Sequence, residues 1–217
     1  MKQFVVVSLA VVCFGSVGLT QNQVADPLAA GAGRKALALQ QQLVELNRDF
    51  AEGRRLINPR AILDLIEGFV IPTGRGPIGI DVEGSRNSNR YNCEAEYNKE
   101  RKSAHFDFKK YDPTKSGWFS YQHLGQMANG CHVVETSHSG GGSGIFSALL
   151  ILECAIEYEY GEDGKREGRL VIKRRGEYEL GDRYQGEVTL DPKKNAIIIS
   201  ADGRNSDKPV RIQLDSK

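Results

Sequence analysis

The sequence predicts an α+β fold, with two N-terminal helices packed on a C-terminal antiparallel β-sheet or partly closed barrel. Three observations carry this. Ala36, Leu39, Leu43, Leu46 and Phe50 recur at spacings of 3 and 4, the seam of one helix face. Asn58-Pro59 opens a second apolar helical stretch with a cap and a first-turn proline. From Cys131 onward, apolar residues alternate along segments joined by Gly- and Asp-containing turns.

The elements follow in order. Met1-Lys2-Gln3, an apolar run from Phe4 to Phe14 and the small residues Ser16 and Gly18 have the layout of a cleavable signal peptide over 1–18. The run is shorter than the roughly 20 residues needed to span a bilayer. Val12 before Cys13 does not suit a lipid-attachment site. The expectation is a secreted or periplasmic protein cleaved near Gly18. Residues 19–33 are small and polar and read as a flexible leader. The helical arm covers 34–68, from the Ala36 seam to Ile62, Leu65, Ile66 and a stop at Gly68. Two heptads are too few for a coiled-coil dimer, so the arm is expected to dock on its own domain in a monomer.

Residues 69–130 form a Gly-rich connector and a further hairpin or loop segment. A short strand at Ile78-Ile80-Val82 fits by alternation, whereas the PTGRGPIG run lacks the GK[ST] ending of a phosphate loop. In the β region, 131–217, a five-residue turn at 161–165 sets Ile156 against Leu170 and Cys154 against Ile172. The same register sets Glu157 against Arg169 and Glu153 against Lys173, so apolar meets apolar and acid meets base. Glu187–Leu190 and Ala196–Ser200 form another hairpin, and Val210–Leu214 a terminal strand.

Charge narrows the range of partners. The chain has 29 basic and 28 acidic side chains, and loss of Lys2 with the signal peptide leaves the mature protein formally neutral. Nucleic acid needs an unneutralised basic face, so it is not expected as a partner, nor is a membrane span in the mature chain.

Cys93, Cys131 and Cys154 remain after cleavage. A hairpin centred on Gly142–Ser143 puts Cys131 opposite Cys154, Val133 opposite Leu152 and Val134 opposite Ile151. A Cys131–Cys154 disulfide with Cys93 free is expected, closing a loop worth roughly 3 kcal/mol. His132 and His138 share a strand face, with Glu135 on the other, and read as solvated strand histidines. No GxSxG, HExxH or thiol-protease signature occurs.

One local stretch resembles a known motif. Counted from Asp112, Thr114, Ser116, Trp118, Ser120 and His123 fall at positions 3, 5, 7, 9 and 12, Gly117 at 6, and Phe108 and Tyr111 precede the loop. This resembles an EF-hand calcium loop. The resemblance implies a metal site of Asp112, Thr114, Ser116, Trp118 and His123 that holds calcium weakly, because Thr114 is neutral and His123 replaces the bidentate carboxylate. The alternative is a β-hairpin: His105–Phe108 out, Asp112–Gly117 as the turn, Trp118–Tyr121 back. The expected function is a non-enzymatic binding or structural module of the cell envelope or extracellular space. A weak calcium-binding protein and a hydrolase of unidentified residues are the alternatives.

Overall fold

The structure, a computed structural model, describes residues 27–52, 55–66, 79–82, 94–160, 164–203 and 207–215. The stretch expected to be a signal peptide, Gly68, residues 72–78 of the PTGRGPIG run and Cys93 lie outside the described residues. The protein is mostly β, built around a curled seven-stranded antiparallel sheet of half-barrel form. The α+β expectation was therefore right about the sheet and the helices on it, but gave the helices too large a share.

Helix α1 (Pro27–Asp49) begins inside the stretch expected to be a leader, so residues 27–33 are helical. Its seam buries Leu39, Leu46 and Phe50 on the chain's own sheet, as a docked helix should. A two-residue hairpin follows, β1 (Ala51–Glu52) with β2 (Arg55–Leu56). Helix α2 (Pro59–Asp64) starts where its sequence directs, with Asn58 Oδ1 accepting from the Arg60 N–H at 2.8 Å and Pro59 in the first turn. Ile62, Leu63 and Leu65 are buried almost completely.

The large sheet takes β3 (Gly79–Asp81), β4 (Glu96–Asn98), β5 (Ser103–Asp107), β6 (Trp118–Gln126), β7 (His132–Ser139), β8 (Phe146–Tyr160) and β9 (Arg166–Asp182). Strands β4 to β9 run as a meander, and β3 closes the far edge against β9. Antiparallel neighbours one turn apart need only short connections, which explains the meander order. Residues 103–126, read as part of a connector segment, are thus central strands of the main sheet. The β8–β9 register pairs Cys154 with Ile172, Ile156 with Leu170, Glu157 with Arg169 and Glu153 with Lys173, as the sequence predicts. The ion pairs on this ribbon run diagonally instead: Lys173 to Glu157, Arg175 to Glu153 at 2.7 Å and Arg169 to Glu159 at 2.5 Å.

A second, three-stranded sheet holds β10 (Val188–Asp191), β11 (Ala196–Ile199) and β12 (Val210–Gln213) in sequence order. Two apolar clusters separate the layers. On one face of the large sheet, α1 and α2 pack over Phe106, Phe119, Tyr121, Val134, Leu150 and Leu152. On the other, Ile197 and Ile199 of β11 pack over Val133, Leu149, Ile151 and Leu180. Strand β8 is apolar on both sides because its middle lies between these layers. The small sheet covers only part of its face, and the remainder is polar.

The β7–β8 hairpin corrects the disulfide expectation. It pairs His132 with Leu152 and Val133 with Ile151, one residue away from the register that would oppose Cys131 to Cys154. A slip of one residue moves a side chain to the other face of a sheet. Cys131 accordingly joins the cluster under the small sheet and Cys154 the cluster under the helices. Both are buried, and no disulfide joins them. Burial pushes the Cys154 thiol up to about 12, with the Glu153 carboxylate adding to the effect.

Candidate functional site

The residues of the EF-hand-like stretch do not converge. Phe108–Tyr111 is one helical turn, α3, and the segment after the loop is strand β6 rather than an exiting helix. The alternative hairpin forms instead, with His105 opposite Ser120, Phe106 opposite Phe119 and Asp107 opposite Trp118. Asp112 folds back on its own turn, accepting from the Thr114 N–H at 3.0 Å and the Thr114 hydroxyl at 2.6 Å. These bonds hold its carboxyl below the usual carboxylate range. Ser116 and Trp118 stay at the turn, while His123 lies well along β6 and is buried in the core. Gly117 is left-handed because an added Cβ would strike the Ser139 backbone, a strand-packing reason unrelated to calcium. Among the described residues no group of three His, Cys, Asp or Glu side chains is placed to hold a metal ion.

His123 has another partner. Its Nε2 lies 3.1 Å from Nδ1 of His132, whose Nε2 lies 3.1 Å from Asn47 Oδ1 on α1. The amide of Gln126 also donates to Asn47 Oδ1 at 3.4 Å, which makes that oxygen an acceptor. The proton order then follows: His132 Nε2–H donates to Asn47, and His123 Nε2–H donates to His132 Nδ1. Among the described residues His123 Nδ1 is buried and meets no well-aligned hydrogen-bond partner, the Gly125 backbone being the group near enough to favour its protonated form. Phe50 stacks on His123 at 4.7 Å and lies 5.1 Å from His132. Burial, with the Lys102 charge nearby, holds His123 down to about 4. His132 is held down to about 3 by burial first, then by His123 and Lys102. The reading of His132 as a solvated strand histidine is thus corrected: it is wholly enclosed beneath α1. His138, on the same face, is half-buried against Phe146. Sealed from solvent, the imidazole pair ties α1 to β6 and β7 and is not placed to meet a substrate.

Among the described residues, an open surface lies on the opposite face of the sheet. Directly opposed residues of an antiparallel sheet share a face. One row therefore runs Asn98, Ser103, Gln122, Glu135, Leu149, Tyr178 from β4 to β9. The next runs Glu96, His105, Ser120, Ser137, Ser147. Their β4–β7 half lines a cleft of ≈ 510 Å³. Alternation supplies this polar face: Ser120 and Gln122 alternate with buried Phe119, Tyr121 and His123 along β6. Glu135 stands at the boundary, between Gln122 and the fully buried Leu149. Its half-buried carboxyl is raised above the usual carboxylate range by desolvation alone. No ion pair or hydrogen bond joins that carboxyl to another described residue, and Tyr184 lies within its electrostatic range. Ser137 and Ser147 bond each other at 3.0 Å.

Ser120, His105 and Asp107 share this face but are not assembled as a triad. His105 Nε2 faces Asp107 at 3.5 Å, and no hydrogen bond links the imidazole to Ser120. A second cleft of ≈ 660 Å³, at the end of α1, mixes Glu45, Arg48 and Asp49 with Lys99 and Lys102. There Arg48 is paired with Asp49 at 2.7 Å. Sequence reasoning noticed Glu135 only as facing away from the histidines. Its signal was a lone acid in an otherwise apolar and hydroxylic stretch, Val133 to Ser137, whose meaning depends on the neighbouring strands.

The fold and cleft define a class: a mostly-β protein whose central sheet carries helices on one face and, on the other, a partly covered polar surface. No protein-family model matches the chain, and no curated protein or solved structure is significantly similar to it.

Proposed function

We propose that this chain is an exported, non-enzymatic binding module of the cell envelope or extracellular space, and that its ligand lies in the cleft of the sheet face that the described residues leave uncovered. The observation that carries the proposal is Glu135. A carboxylate loses solvation on burial and normally recovers it from a cation or donors. Glu135 is half-buried and has no such partner among the described residues. A polar face kept open beside two well-filled apolar clusters is also what a binding surface requires. Among the described residues no helix is long and apolar enough to cross a membrane.

Two measurements test the reading. N-terminal sequencing of the protein recovered from outside the cytoplasm should begin near Leu19, and retention of the full chain in the cytoplasm overturns export. A library of small polar ligands, followed by amide chemical shifts, should perturb residues 120, 122, 135 and 137. Hits confined to other faces overturn the site.

A further inference from the structure

We infer that the cleft takes a protonated amine, an alkylammonium group, on Glu135, Gln122 and the adjoining serine hydroxyls. This deepens the binding-module reading and rests on it.

The floor supplies mainly acceptors. Glu135 contributes a carboxylate, Gln122 directly across from it an amide oxygen, and Ser120 and Ser137 in the next row contribute hydroxyls. Other charges around the cleft are already engaged: Glu96 with Lys110 at 3.0 Å, and His105 with Asp107 at 3.5 Å. Arg101 sits at the exposed rim, and among the described residues no ion pair joins a side-chain cation to the Glu135 carboxylate. Charge complementarity therefore calls for a positive ligand.

Spacing narrows the choice. An ammonium bonded to three oxygens at about 2.8 Å holds them about 4.6 Å apart, its N–H bonds being tetrahedral. Side chains directly opposed on neighbouring strands are rooted about 4.5–5.5 Å apart, as Gln122 and Glu135 are. The alkyl part would lie toward Leu149 and Tyr178, which continue the Glu135 row beneath the edge of the small sheet. A neutral polyol could use the hydroxyls but would leave the carboxylate charge unmatched.

The test is a titration of the full-length mature protein at pH 7, followed by ¹H–¹⁵N spectra. The probes are butylammonium chloride, butan-1-ol and methyl β-glucoside. Butylammonium should shift residues 120, 122, 135 and 137, weaken at higher salt, and lose at least ten-fold in affinity in Glu135→Gln. Glu135→Asp, which keeps the charge, should lose less; the dispersion of each spectrum reports that the variant is folded. Equal binding of butan-1-ol, or butylammonium binding unchanged in Glu135→Gln, overturns the inference. Glucoside binding in the cleft without butylammonium overturns the amine and leaves the binding site standing. Silence from all three probes overturns the amine inference, and the binding site itself then stands or falls by the ligand library.

Discussion

His123 and His132 make the core sensitive to acid. In the unfolded chain both imidazoles take protons near pH 6.5; in the folded protein they do so only at about 4 and about 3. Their folded pKa values are depressed, so stability is whole above pH 6.5 and falls as the unfolded chain gains protons the folded one refuses. With both unfolded side chains protonated the loss is roughly 3 kcal/mol per pH unit until the folded pair itself takes up protons. Urea unfolding at pH 7.5, 5.5 and 4.5 measures it. A His132→Gln variant should be weaker at pH 7.5 yet show a shallower acid slope. Glu135 has the opposite sign. Its pKa is raised on folding, so its contribution is best at low pH and is lost as pH rises through the folded value. Glu135→Gln should therefore raise the melting temperature at pH 7, and do so less at pH 4, where the carboxyl is protonated in both states. A fall in melting temperature would show that the carboxylate has a stabilising partner. Cys131 and Cys154, buried on opposite faces, should resist iodoacetamide until denaturant is added. Rapid labelling of either thiol in the native protein would contradict its placement.

At the scale of elements, α1 is held through its last turn. Leu46 and Phe50 are completely buried, and Phe50 touches His123, His132 and Tyr121, whose hydroxyl donates to the Ile57 carbonyl at 2.5 Å. Phe50→Ala should cost about 3–5 kcal/mol. It should also let the two histidines titrate closer to pH 6.5, which ¹H NMR of the ring protons would show. A stability loss with unchanged titration would mean that Phe50 fills space without sealing the pair. Elements whose cues are local were legible: the Asn58 cap, the β8–β9 register and the β10–β11 hairpin all follow from nearby residues. The β7–β8 register was missed by one residue because the Ser-Gly loop at 139–144 carries no side-chain pattern to fix its centre. Gly141 there is left-handed and set against Ser116, a constraint from a distant turn.

For the whole molecule, the three layers share one central sheet, and β8 belongs to both apolar clusters through alternate side chains. The small sheet should therefore melt with the rest. Ile197→Ala, at a completely buried position, should cost about 2–5 kcal/mol and lower a single calorimetric transition rather than split off a second one. Two separate transitions in the wild-type protein would show that the small sheet is an independent unit.

By itself the sequence determined the apolar seam of α1, the start of α2 and the strands of the β region from Cys131 onward, with the side of each that is apolar. Those properties depend on residues a few positions apart, within reach of steric preference and alternation. The tertiary structure alone decided that His123 meets His132 instead of Asp112, that Cys131 and Cys154 face away from each other, and that Glu135 stands at the edge of an open cleft. Each of these depends on which strand lies beside which, and in what register. A shift of one residue inverts the outcome, whereas it barely changes the hydrophobic pattern from which the elements were read.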